Sequence, residues 1–227
     1  MKYLKVFLLG IGAGIAIAFG GAAYTACTYY GSEIAGSVLF SCGLLLVCSF
    51  GMKLYTGQIG KVFENKISFL LDLFIMYIGN VIGATGCGLL SSLTIPNDKY
   101  QDVVDKIAIC KIVLLNNVGN EWYKILILGF FCGILVYLGV EIFKKAEHGI
   151  TKVVGLVLCV AVFVVAGYSH CVANMYYLGN SLFIFKYPLE SFLGILIATI
   201  GNSLGSIFTW LIFYICNFKK VESGKNN

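Results

Sequence analysis

The chain has 227 residues, of which 59% are hydrophobic, with a mean hydropathy of +0.90 and a formal net charge of +5. No soluble domain of this size carries so apolar a composition. All sixteen basic residues are lysine, and no Walker loop, strand-borne GxGxxG or aromatic-studded basic patch accompanies them, so nucleotide and nucleic-acid binding are not indicated.

Apolar runs of about 18 residues or more mark candidate bilayer spans, because roughly 20 residues at about 1.5 Å rise cross a ~30 Å hydrocarbon core. Six occur: about 4–27, 32–55, 67–93, 123–143, 150–187 with a break, and 189–217. The first is too long and too glycine-rich for a secretory leader and is read as retained. Residues 94–122 form a long charged loop, either solvated or folded over the extracellular mouth, and 218–227 a cytoplasmic tail. With both termini cytoplasmic, ten lysines lie inside (Lys2, Lys5, Lys61, Lys66, Lys144, Lys145, Lys152, Lys219, Lys220, Lys225) and five outside (Lys99, Lys106, Lys111, Lys124, Lys186), as the positive-inside rule requires of a cell-membrane protein. The nine cysteines are scattered without a CxxC pair and read as small apolar fillers, so no metal site or other cofactor is expected.

The chain repeats itself weakly. Gly10, Gly14 and Gly20 recur 119 positions later as Gly129, Gly133 and Gly139, and "IGNVIG" (78–83) recurs 122 positions later as "IGNSLG" (200–205). Two interrupted apolar stretches lie between these marks: "GMKLYTGQIG" (51–60) and "GYSHCVANM" (167–175). The expected fold is an all-α integral membrane protein of one domain, residues 1–227. Its six transmembrane helices form two inverted three-helix repeats, about 4–93 and 123–217, with helices 2 and 5 broken. Irregular backbone at membrane depth is tolerated only where it is buried in protein or lines a water-filled path. The spaced glycines read as helix-packing positions. Asn80, Asn174 and Asn202 are candidates to support the helix breaks, since a buried carboxamide must find partners. His170, at the second break, is the leading pore-lining residue, and Asp72 reads as an interfacial partner.

The strings "YTGQIG", "IGNVIGA", "GYSHCVANM" and "IGNSLGS", in that order, resemble the formate/nitrite transporter family over about residues 4–218. The resemblance implies an aquaporin-like homopentamer in membrane lipid, with one pore per protomer passing small monovalent anions such as formate, nitrite and hydrosulfide. By motif, His170 matches the family's central histidine and Thr56 the threonine facing it. Phe40, Leu44 and Phe163 match apolar constrictions, with Leu54, Tyr55 and Val136 as weaker candidates for the same role. Four positions depart from the family pattern: Lys53 and Ser169 stand where acids are usual, Gly133 where asparagine is usual, and Asn117 where a lysine is common. Such departures resemble the clostridial-type hydrosulfide channel branch. Lys53 could attract anions at the pore, snorkel to the interface, or pair with an acid such as Glu33.

These readings imply an anion channel, with hydrosulfide the first choice and formate, nitrite or chloride also passing. Imidazole titrates near neutrality, with an unperturbed pKa of about 6.5, so a proton-coupled formate/nitrite transporter on the same scaffold is the alternative. A water- or glycerol-like pore is weaker, because neither break carries Asn-Pro-Ala. A membrane enzyme using His170 and Cys171 is weaker still, since adjacent helical residues point about 100° apart.

Overall fold

The computed structural model describes residues 1–113 and 122–223, with side chains to residue 216. Among them no strand occurs. The helices are α1 (Lys2–Tyr29), α2 (Glu33–Ser49), α3 (Phe69–Ser92), α4 (Asp98–Ile109), α5 (Trp122–Lys145), α6 (Gly149–Val165), α7 (Cys171–Asn180), α8 (Phe183–Lys186) and α9 (Pro188–Ser223), with a 3-10 segment at Ile59–Glu64. Among the described residues four helices are long and apolar enough to cross a membrane: α1, α3, α5 and α9. The apolar helices α2 and α6 are shorter, at 17 residues each. Large apolar side chains such as Phe19, Phe74, Leu158 and Phe192 stand exposed on the outer surface.

Small residues explain the closest pairings. Helix α1 packs on α3 and α2, and α5 packs on α9 and α6. A Cβ on Gly14 would lie 2.8 Å from the Ala84 nitrogen on α3, and one on Gly133 would run into the Asn202 backbone on α9. Backbone therefore meets backbone, and dispersion across that contact offsets the roughly 1 kcal/mol that glycine costs a helix interior.

The 94–122 segment differs from the expected loop. Asn97 Oδ1 accepts the Tyr100 N–H at 3.0 Å, and α4 starts there, capped in the usual asparagine manner. Asn117 lies outside the described residues. Helix α9 opens on Pro188, whose missing N–H is harmless in the first turn, and continues past residue 217 to Ser223.

Candidate functional site

Of the three helices that end on glycines with left-handed backbone, two lead into the interrupted stretches: α2 at Gly51 (φ 63°) and α6 at Gly167 (φ 70°). In each, the next N–H reaches back into the helix, Met52 to the Val47 carbonyl and Tyr168 to the Phe163 carbonyl, both at 2.9 Å. This Schellman closure suits a residue without Cβ. The chain then turns inward. Lys53 N–H donates to the Leu9 carbonyl at 3.2 Å, and Ser169 N–H to the Leu128 carbonyl at 3.3 Å.

Unwound backbone needs partners where water is scarce. Asn80 Oδ1 accepts the Tyr55 N–H at 2.9 Å, while its amide donates to the Gly10 and Lys53 carbonyls at 2.8 and 2.9 Å. Asn202 makes the matching set. Its Oδ1 accepts the Cys171 N–H at 2.9 Å, and its amide donates to the Gly129 and Ser169 carbonyls at 2.8 and 2.7 Å. Asn174 works differently, donating to Ser169 Oγ at 2.8 Å, so it reaches the break through a side chain.

Past these breaks the chain is deeply buried. Thr56 is fully buried, His170 is 3% exposed, and every residue of α7 is buried. Thr56 Oγ1 and His170 Nε2 lie 2.9 Å apart. His170 is also the N-cap of α7, where Nδ1 accepts the Ala173 N–H at 3.1 Å. That bond leaves Nδ1 without a proton. The neutral imidazole therefore carries its proton on Nε2 and donates it to Thr56 Oγ1. The Thr56 hydroxyl hydrogen remains for a third group. Both ring nitrogens are engaged, so neither serves Cys171 as a base.

Apolar rings frame this pair. The Phe163 ring stacks on the His170 ring with centroids 5.9 Å apart, and Phe40 meets Phe163 edge-on at 5.7 Å. On one side lies a cavity of about 680 Å³, lined by Phe40, Phe163, His170, Asn174 and Tyr177 among others. On the other lies a cavity of about 230 Å³ reached by Lys53, Leu54, Val140 and Lys144. Leu44 on α2 falls between the parts of that helix that line the two cavities. Val136 sits one turn before Val140, and both Leu44 and Val136 are buried in the same apolar cluster.

Two sequence expectations need correction. Tyr55 lines neither cavity. Its hydroxyl lies 2.9 Å from Ser203 Oγ and its ring packs against Tyr77, so it is no constriction. Lys53 does not pair with Glu33, because Glu33 opens α2 and Lys53 follows its far end, about 25 Å along the axis. Lys53 instead lines the smaller cavity beside Lys144. Asp72 takes an ion pair with Lys2 at 2.9 Å, and Glu141 takes two, with Lys61 at 2.6 Å and Lys145 at 2.9 Å.

Sequence reasoning missed the cations of the larger cavity. Lys106 on α4 and Lys111 just after it both line that space, with Glu33 across from them. Half-burial pulls the Lys111 ammonium below the ordinary lysine range. The amphipathic spacing of "DKYQDVVDKIAI" is the signal that could have placed α4 on the cavity. Among the described residues no three His, Cys, Asp or Glu side chains gather as a metal site.

Residues 1–216 match the family model described as formate/nitrite transporter. An uncharacterised transporter of Bacillus subtilis, YrhG, is 31% identical over 204 residues, covering 86% of this chain and 75% of that one. The formate channel FocA of Haemophilus influenzae is 25% identical over 75% of this chain, and the match spans 64% of the FocA length. A solved pentameric formate channel with formate bound superposes with a TM-score of 0.74 at 26% identity, over 97% of this chain and 98% of that one.

Proposed function

Because the chain belongs to the formate/nitrite transporter family, we propose that it is a membrane channel for small monovalent anions, with the Thr56–His170 pair at its narrowest point. In this reading the protein crosses the cell membrane six times as two inverted halves, with α2 and α6 each continued by a broken, re-entrant segment and both termini cytoplasmic. Five copies assemble, as in the pentameric formate channel it resembles, and each copy carries its own pore. The observation that carries the reading is the buried hydrogen-bonded pair at 2.9 Å, flanked by apolar rings and by a cavity on each side.

The chemistry follows from the donors. An anion stripped of water at depth is expensive unless donors replace its hydration. Lysines in the cavities concentrate it: Lys106 and Lys111 on one side, Lys53 and Lys144 on the other. Phe40, Phe163, Leu44, Leu54 and Val136 exclude larger hydrated ions. The Thr56 hydroxyl hydrogen, free of the histidine, is offered to the guest, and His170 Nε2–H can swing to it as a second donor. A neutral imidazole with Nδ1 tied to Ala173 holds no spare proton to give, because losing the Nε2 proton would leave an imidazolate. The geometry therefore favours a hydrogen-bonding channel over obligatory protonation of the guest.

Formate and hydrosulfide are the first guests to compare. The formate channels among the relatives support formate. Lysine at 53 and serine at 169, in place of two acids, support hydrosulfide. Uptake of formate, nitrite, hydrosulfide and chloride into proteoliposomes, for the unaltered chain and for Thr56→Ala and His170→Asn, tests the proposal. Anion flux that both substitutions suppress supports it. Water flux without anion flux would overturn it, and internal acidification in step with uptake would replace it with proton-coupled transport.

A further inference from the structure

Helix α9 holds both breaks. Asn202 secures its own break at Cys171, as described. One residue on, Ser203 lies 2.9 Å from the Tyr55 hydroxyl, in the other half of the molecule. One turn further, Ser206 Oγ lies 3.4 Å from the Thr56 carbonyl and 3.1 Å from the Gly133 carbonyl. The direction of the first bond is fixed by its neighbours. The Ser203 hydroxyl donates to the Thr199 carbonyl at 2.7 Å, so the Tyr55 hydroxyl must donate to Ser203. The same logic applies above it. The Thr199 hydroxyl donates to the Ile195 carbonyl at 2.7 Å, so the Tyr77 hydroxyl donates to Thr199 at 2.9 Å. The Tyr55 and Tyr77 rings meet edge-on, with centroids 5.0 Å apart.

The arrangement is one-sided. In "GNSLGS" on α9, serines occupy the places that valine and alanine hold in "GNVIGA" on α3. Helix α3 therefore has only Asn80 for its own break, whereas α9 reaches across with hydroxyls at one-turn spacing.

We infer that Tyr55, clamped between Asn80 at its N–H and Ser203 at its hydroxyl, is a positioning residue that sets where the adjoining Thr56 hydroxyl stands relative to His170. Ser206 adds a weaker hold on the Thr56 carbonyl. The inference rests on the reading of Thr56 and His170 as the central pair of a pore. Removing one hydroxyl from the clamp leaves every apolar contact in place but frees the Thr56 elbow to shift, and donors that are misplaced by a fraction of an ångström serve a dehydrated anion poorly.

The test uses Tyr55→Phe, which keeps the ring and removes only the donor, with Ser203→Ala and Ser203→Thr as companions. Two readouts apply. The first is the ¹⁵N resonance of His170 Nε2 in micelles, readable because the chain has two histidines. The second is formate uptake into proteoliposomes. Tyr55→Phe and Ser203→Ala should shift the Nε2 resonance and lower formate uptake about fivefold, the factor one net hydrogen bond commands. Ser203→Thr, which keeps the hydroxyl, should restore both. In a Thr56→Ala background, Tyr55→Phe should change nothing further. An unmoved resonance, or an equal loss in that background, would overturn the inference. Should the unaltered chain carry none of formate, nitrite, hydrosulfide and chloride, the transport reading falls, and the resonance still decides the clamp.

Discussion

Thr56 Oγ1 and His170 Nε2 stand 2.9 Å apart although 114 residues separate them, and His170 Nδ1 simultaneously caps α7 through the Ala173 N–H. One imidazole thus performs two tasks, and substitutions can separate them. Asparagine is a strong N-cap, so His170→Asn should keep α7 capped and leave thermal stability in detergent nearly unchanged while abolishing most anion flux. His170→Ala should lose flux and also about 1 kcal/mol of stability. Equal melting temperatures for the two variants would refute the cap assignment.

Asn80 and Asn202 each hold one N–H and one carbonyl at an unwound segment, and tie them to a carbonyl of a neighbouring helix, Gly10 on α1 or Gly129 on α5. Alanine at either place strands these groups in the interior, at about 1–3 kcal/mol for each group left unsatisfied. Both variants should melt well below the unaltered protein and to a similar extent. A large loss at one position and none at the other would show that the two breaks are not held alike.

A Cβ at Gly133 would collide with the Asn202 backbone. Gly133→Asn should therefore push α5 from α9 and cost more than about 3 kcal/mol, in the range of severe overpacking. Expression with a melt in detergent checks this. A stable variant would mean that the helix pair can separate at little cost.

Phe40 and Phe163 meet edge-on beside His170. On the proposed reading this ring excludes larger ions, so truncating Phe40 to alanine should raise acetate uptake relative to formate. It should also cost about 3–5 kcal/mol of stability. An unchanged acetate-to-formate ratio would place the size filter elsewhere.

On the proposed reading Lys111 attracts anions only while charged, and burial lowers its pKa. Its contribution is complete below that pKa and is lost as pH rises through it. Formate uptake should therefore begin to fall at a pH below the ordinary lysine range. Lys111→Gln should lower uptake by up to about tenfold at neutral pH and flatten the alkaline decline. A decline that persists in Lys111→Gln would assign it to another group.

Much of this was legible in the chain itself. Hydropathy announced an all-helical membrane protein, and four short strings announced the formate/nitrite transporter family, which the family match supports. The interrupted apolar stretches that open on Gly51 and Gly167 mark where α2 and α6 stop, because a left-handed residue at a helix end is a local property. The helix α4 within the expected loop was missed because its amphipathic stripe, rather than its length, identifies it. Tyr55 was misread because a tyrosine beside Thr56 looks the same in sequence whether its ring faces a cavity or its hydroxyl meets a serine on a distant helix.

The sequence by itself determined the class of the protein and the order of its long apolar helices, since these depend on the local apolar pattern of neighbouring residues. Only the tertiary structure decided that Thr56 meets His170, that the imidazole proton sits on Nε2, and that Ser203 holds Tyr55. Those three facts are hydrogen bonds between or within packed segments, and which donor finds which acceptor is settled by how closely glycine-lined helices can approach.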